Sequence, residues 1–307
     1  MLGIGVSMSN QAQSSAAMQL PYNYPADYSG SFDGTNDIVI CQNSAPVGHP
    51  LKPTNAVTLS VFVRPFAWDY YNYDNSFDKV YIAGNLATGG YALLLQKSGT
   101  DTFIKWQVGV ADDGTGSPGY LTATSTEPMN DNLDDPGTVG PFQMLVGTFD
   151  GNVATLYIQG NTTNSGGTTE AGFRPSAANY PASYPTTIDY VQQGLQVTEF
   201  AIGASNQHGD YIKAQIDDVA VWNSCLTSAE VAKLRDYIDP VTGNSSIIPF
   251  DLRRTDISGY NSSSNLVGYW SFDEGQGTQT ADLVGVADGI FTNGATWSNA
   301  NPRTPNP

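Results

Sequence analysis

From Tyr28 onward the hydrophobic positions fall into short runs, some alternating with polar residues and some apolar throughout, each closed by Gly, Pro, Asn or Asp. Alternation with a period of two marks a strand with one buried face, and a short unbroken apolar run marks a strand buried on both. The pattern predicts strands at 38–41, 57–64, 80–83, 91–96, 103–110, 143–149, 153–158, 199–202 and 216–222. The clearest hairpin is QMLVGTFDGNVATLYIQG, where Asp150, Gly151 and Asn152 tolerate the positive φ of a tight turn. One helix stands among the strands, at LTSAEVAKLRDYI. Thr227 can cap its start, Glu230 can reach back to complete a capping box, and Leu226 and Val231 fit the accompanying hydrophobic staple. Pro240 ends it, having no N–H to donate.

Around these elements lie stretches without a strand pattern. Residues 1–26 carry no charge and mix Ser, Ala, Gln and Met with isolated aliphatics. They build no core of their own, so 1–27 reads as an extended N-terminal arm. Segments 111–140, 161–193 and 239–265 also lack a pattern, and loops of that length in a compact domain serve function or interfaces. Phe-Asp-Gly recurs at 32–34 and 149–151, with a relative at 272–275, but the irregular spacing points to recurring turns and not to a solenoid.

Composition agrees with an all-β chain. Among 307 residues, 40% are hydrophobic and only 13% charged, with 32 Gly, 18 Pro, 12 Phe, 17 Tyr and 5 Trp. That is enough for one sizeable core. The net charge of -17 repels a phosphate backbone, which argues against nucleic acid as a partner. No run approaches the roughly 20 apolar residues that span a bilayer. Cys41 and Cys225 are too few for a disulfide framework and read as free, buried thiols, with a pairing left open. The first residues lack the basic and apolar regions of a secretory signal, so a surface role implies another export route or release within a virus particle.

Taken in order, YSGSFDGTNDIVI, TLSVFVRPF, MLVGTFDGNVATLYIQG, FAIGASN and AQIDDVAVWNSCLTSAEVAKL resemble the laminin-G-like branch of the concanavalin A-like superfamily. The resemblance implies an antiparallel β-sandwich, a jelly roll over 28–239 with one short helix on its C-terminal side. LVGYWSFDEGQGTQTADLVGVADGIFTNGATWS resembles the segment that opens such a domain, yet here it comes last. The extension 240–307 therefore either closes the same sandwich or forms part of a second unit. This arrangement, with the uncharged start, is similar to virion structural proteins of tailed phages.

Glucanases of this superfamily carry catalytic carboxylates in a Glu-x-Asp-x-Glu strand. The motif is absent, and Glu127, Glu170, Glu199, Glu230 and Glu274 are scattered, so the chain reads as non-enzymatic. His49 and His208, the two imidazoles, have no spacing suited to zinc and read as loop residues. Calcium is the better metal candidate, as a structural ion. The resemblance implies that its site would join Asp33 of the Phe-Asp-Gly turn and Asp37 to the strand carrying Asp217. Asp217 alternates with Val219 and Val221, so it is expected on an apolar face, where a metal, a backbone amide or a cation would relieve its burial. The aromatic stretch FAWDYYNYDNSFDKVY interleaves Trp68, Tyr70, Tyr71 and Tyr73 with Asp and Asn. It suits a protein interface, ordinary loop packing or stacking on a cell-surface glycan. Together these features lead to an expected virion surface protein, a capsid decoration or a tail or fibre component. It would assemble with other virion proteins and with copies of itself, outside the cell. A glycan-binding adhesin is the alternative, and a polysaccharide-cleaving enzyme a distant third.

Overall fold

The computed structural model describes residues 28–41, 49–65, 78–86, 89–99, 101–110, 119–125, 142–159, 174–179, 187–190, 199–235, 237–238, 245–246, 250–285 and 287–300. Two antiparallel sheets of eight strands each stack into a sandwich. The first sheet runs β10 (Arg174–Asn179), β9 (Val153–Gln159), β8 (Gln143–Phe149), β3 (Val57–Pro65), β12 (Lys213–Trp222), β1 (Ser29–Asp33) and β18 (Thr296–Ser298). Its eighth member, β15 (Leu266–Trp270), pairs with the second half of β12, while β1 pairs with the first half. The second sheet runs β16 (Gln279–Thr280), β17 (Gly289–Thr292), β2 (Ile38–Cys41), β11 (Phe200–Ile202), β4 (Lys79–Gly84), β5 (Tyr91–Ser98), β6 (Asp101–Val110) and β7 (Gly119–Thr124). The C-terminal stretch thus supplies β15 and β18 to one sheet and β16 and β17 to the other.

Alternation along the strands builds the core between the sheets. Val57, Leu59, Val61 and Val63 of β3 face Leu93, Leu95, Ile104, Trp106 and Val108 in one buried cluster. Trp106 crosses the interior, its indole N–H donating to the Thr148 carbonyl at 3.0 Å. Gly147 makes room for that ring, since a Cβ there would overlap it. A third layer covers part of the first sheet's outer face. Phe62, Met144, Val146, Ala220 and Trp222 pack under α1 (Ser228–Arg235) and under Phe250, Leu252 and Tyr260. Trp222 Nε1 donates to Tyr260 Oη at 3.0 Å, and that hydroxyl donates to the Leu252 carbonyl at 2.9 Å. Inside the stretch read as a long loop, 250–265 therefore does core work.

The capping box forms as expected. Glu230 N–H donates to Thr227 Oγ1 at 3.2 Å, and Thr227 N–H donates back to Glu230 Oε2 at 3.1 Å. The helix is shorter than its pattern predicts. Tyr237–Ile238 leave it to form β13, paired with β14 (Ser245–Ser246) in a two-stranded ribbon. Seven further strands were not placed by the pattern: β1, β7 and β10, and β15 to β18 of the C-terminal extension. Cys41 and Cys225 are free, the first buried and the second half-buried. Burial pushes the Cys41 thiol well above its ordinary value, with Asp282 and Asp288 adding to the rise.

A bulge in β12 changes where Asp217 points. Three residues, from Asp217 to Ala220, advance against two on β3, from Phe62 to Ser60. The extra residue is Asp218, with φ 44, and its carboxylate accepts from the Tyr269 hydroxyl at 2.7 Å. Ile216 and Val219 consequently share the core face. Asp217, opposite Phe62, lies on the other face, not alongside Val219 and Val221 as its spacing predicts. It is fully buried there, and Asp218 N–H donates to its Oδ1 at 2.9 Å.

Candidate functional site

The second sheet turns its outer face away from the core, and β4 to β7 carry its polar side chains. Register brings Tyr81, Leu94, Lys105 and Thr124 into one row across the four strands, and Ala92, Gln107 and Thr122 into the next. Tyr81, Ala92 and Leu94 form a small buried apolar patch with Leu86. Tyr120 stands at the edge of this face on β7, paired with Gly109. At 41% exposure it is the most exposed aromatic residue among those described.

Hydrogen-bonding groups share that face of the sheet. Gln107 Nε2 donates to Thr122 Oγ1 at 3.1 Å, Lys105 Nζ to Gln96 Oε1 at 3.0 Å, and Lys79 Nζ to Tyr81 Oη at 3.1 Å. Burial pushes the Tyr120 phenol up, Tyr81 and Asp189 reinforce the rise, and Lys79 opposes it. Burial pulls the Lys79 ammonium down, but its bond to Tyr81 and the nearness of Asp210 outweigh that, so it stays charged above its ordinary range. The groups are thus close enough to sense one another. An exposed ring flanked by donors and acceptors complements a ligand with an apolar face and hydroxyls at its rim.

The residues singled out from sequence are distributed differently. Asp33 and Asp37 do meet: Asp37 is buried and its Oδ2 accepts from Asp33 N–H at 2.9 Å, while Asp33 Oδ1 accepts from Thr35 N–H at 2.7 Å. Burial, with Asp33 nearby, pushes the Asp37 carboxyl up against the lowering effect of its backbone bond. Asp217 is not with them. Asp33 pairs with Lys213, four positions earlier on β12, a separation of about 13 Å along the strand. Calcium ligands lie about 2.3–2.6 Å from the ion, so the three carboxylates cannot share one. Among the described residues no group of three His, Cys, Asp or Glu side chains could hold a metal ion. Trp68, Tyr70, Tyr71 and Tyr73 lie outside the described residues.

The glutamates and histidines within the described residues have local partners. Glu230 accepts from Thr227, Asn261 and Ser262, and Glu274 Oε1 accepts from Ala281 N–H at 2.7 Å. His208 Nε2 lies 2.8 Å from Glu199 Oε2 on the surface, and His49 Nδ1 accepts from Leu51 N–H at 3.2 Å. Sequence reading passed over Tyr120, although Leu121 and Ala123 alternating with Thr122 and Thr124 carried a strand signal inside a stretch taken as loop.

Comparison with known proteins agrees with this architecture. A candidate carbohydrate-binding protein from Bacteroides ovatus superposes with a TM-score of 0.50 at 14% identity, over 90% of this chain and 60% of that protein. Tailspike protein 2 of an Escherichia coli O157:H7 bacteriophage gives 0.42 at 12% identity, over 81% of this chain and 30% of the tailspike. The binding domain of botulinum neurotoxin serotype G gives 0.41 at 11% identity, over 70% of this chain and 45% of that domain. This chain thus spans less than two thirds of each. Among curated protein sequences none matches. The sequence model of a laminin-G type family, described as the concanavalin A-like lectin/glucanases superfamily, matches residues 33–232, and the two stacked antiparallel sheets are of the matching kind, so the chain belongs to that superfamily.

Proposed function

We propose that this chain is a non-catalytic, lectin-like module that binds glycan on the outer face of its second sheet. The observation that carries the reading is Tyr120, an exposed ring among Lys79, Gln107 and Thr122 on a sandwich of a lectin family. Its face would stack on the C–H surface of a sugar while the neighbouring groups bond hydroxyls. The reading is tested by glycan-array screening followed by calorimetry on the best glycan. Tyr120→Ala should weaken binding at least tenfold, about 1.4 kcal/mol, without lowering thermal stability. Undiminished affinity in that variant, or no binding by the parent chain with or without calcium, would sink it. The calcium arm also tests an ion held at Asp33 and Asp37.

The setting we propose is the exterior of a virus particle, as a capsid decoration or a tail or fibre component. Support comes from the resemblance in segment order and from the uncharged residues 1–26, which would dock on another virion protein while copies of the chain assemble. Antibody labelling of intact particles from the source should decorate their outer surface, and absence of the chain from purified particles would remove this setting.

A further inference from the structure

The first sheet's outer face carries a second polar row, on the opposite side of the sandwich from Tyr120. Register aligns Thr296, Ser31, Gln215 and Arg64 across β18, β1, β12 and β3. Arg64 and Gln215 are direct cross-strand partners, so their Cβ atoms stand about 5 Å apart on one face. Gln215 is 6% exposed, and its Nε2 donates to Ser298 Oγ at 2.6 Å. Its Oε1 is buried without a hydrogen-bond partner, and so is Arg64 Nε. The Arg64 guanidinium lies over the Phe142 ring, 5.9 Å from its centroid. A donor and an acceptor, neighbours in the sheet, are thus both left unsatisfied.

Charge makes the arrangement more unusual. The chain has 29 acidic and 12 basic residues, so a carboxylate partner for any arginine is easy to supply. Among the ion pairs formed by the described residues, none involves Arg64. Burial moves the Arg64 guanidinium below its ordinary pKa range, and no carboxylate among the described residues acts to raise it. A half-buried guanidinium without a counter-ion is costly, and an orphaned amide oxygen adds to the cost. An anion at the partly exposed guanidinium would offset the first cost, and a hydroxyl that displaced a covering group to reach the amide oxygen would offset the second. The side chain of Arg64 is partly exposed, which leaves an approach from solvent.

We propose that Arg64 and Gln215 recognise a carboxylate with neighbouring hydroxyls, the chemistry of a uronic-acid unit in an acidic glycan. The planar fork of arginine matches the two oxygens of a carboxylate. A net charge of -17 disfavours more highly charged groups such as phosphate. This inference deepens the lectin reading and rests on it for the ligand being a sugar.

The test compares methyl β-glucuronide with methyl β-glucoside, which differ in a carboxylate for a hydroxymethyl group, by calorimetry on the full chain. Acetate and inorganic phosphate serve as further probes. The glucuronide should bind at least tenfold tighter than the glucoside and tighter than acetate or phosphate. Arg64→Gln should abolish the preference, and Arg64→Lys should keep only part of it. Gln215→Glu, which supplies Arg64 with an internal carboxylate, should also abolish it while leaving the melting temperature unchanged or higher, so one informative variant remains if Arg64→Gln fails to fold. Equal affinity for the two sugars, an unchanged preference in Gln215→Glu, or acetate or phosphate binding as tightly as the glucuronide would each overturn the proposal. Tyr120→Ala should leave the preference intact. Undiminished glycan binding in Tyr120→Ala with the preference kept therefore sinks the earlier reading alone, and Tyr120-dependent neutral-glycan binding without the preference sinks this one alone.

Discussion

Burial raises the carboxyls of buried Glu230 and half-buried Glu274 alike, yet their net shifts are opposite because their surroundings differ. Burial raises the Glu230 carboxyl, but bonds donated by Ser262, by the Thr227 and Asn261 backbone and by the Thr227 hydroxyl outweigh it, and the net shift is downward. A carboxyl depressed on folding stabilises above its unfolded value, and the contribution is lost as pH falls through its folded one. Glu230→Ala should therefore cost about 2–3 kcal/mol near pH 7, as several bonds to a charged group are lost together, and less in acid. Urea unfolding at several pH values measures it. Glu274 shifts upward, first through burial and then through Asp288, against bonds to the backbone and the nearness of Thr280. Thr280 Oγ1 stands close enough to favour the carboxylate, yet the geometry completes no hydrogen bond: that oxygen and Glu274 Oε2 are both buried without partners. Here stability is greatest below the ordinary glutamate value and is lost as pH rises through the folded one. Glu274→Gln keeps an acceptor for Ala281 and offers an N–H to Thr280. It should gain about 1 kcal/mol at pH 7 and flatten the pH dependence above the ordinary glutamate range. An unchanged slope would show that the carboxylate is satisfied as it stands.

Whether a strand could be read from the sequence depended on how clean its alternation was and how far its pairing relied on side chains. The 38–41 and 143–149 runs read correctly because branched and aromatic residues fill both faces and turn residues bound them. β1 is Ser-Gly-Ser-Phe-Asp, with one large apolar side chain, and its pairing with β12 and β18 rests on backbone bonds. The same blindness affected the proposed calcium trio. FDGTND was legible as a turn uniting Asp33 with Asp37, but the distance to Asp217 is set by register, which no spacing records. The Asp218 bulge was hidden too, because Asp217, Val219 and Val221 mimic plain alternation across the extra residue. Aspartate tolerates positive φ and accepts from Tyr269, which is what the bulge requires. Asp218→Asn should keep both properties and cost under about 1 kcal/mol, whereas Asp218→Val, branched at φ 44, should cost about 2–4 kcal/mol. Chemical denaturation of the two variants separates them, and equal losses would mean that the backbone there is not strained.

At the scale of the molecule, the family match stops at residue 232, but the fold does not. β1 and β15, from opposite ends of the described chain, lie end to end along β12, with the bulge between their halves. Trp270 stacks on Phe200 at 5.2 Å, and Phe272 and Phe291 of the core form an aromatic group with Trp297, which packs against it. The sequence showed that 266–298 resembles the opening of such a domain, but not which strands it would join, since antiparallel partner choice is nonlocal. If the pairing is what holds the sandwich shut, a chain ending at residue 265 loses four strands, leaves β2 and part of β12 with unpaired edges and exposes Phe32 and Phe200. Such edges invite aggregation, and a core opened on one side loses its cooperative transition. The shortened chain should therefore show no sharp calorimetric melt, whereas the full chain should unfold in a single transition. Adding residues 266–307 in trans should restore the melt, because the missing strands pair through backbone groups that do not require covalent continuity. A monomeric 1–265 fragment with a melt as sharp as that of the full chain would instead make the jelly roll autonomous, with β15 to β18 docked on a domain already complete.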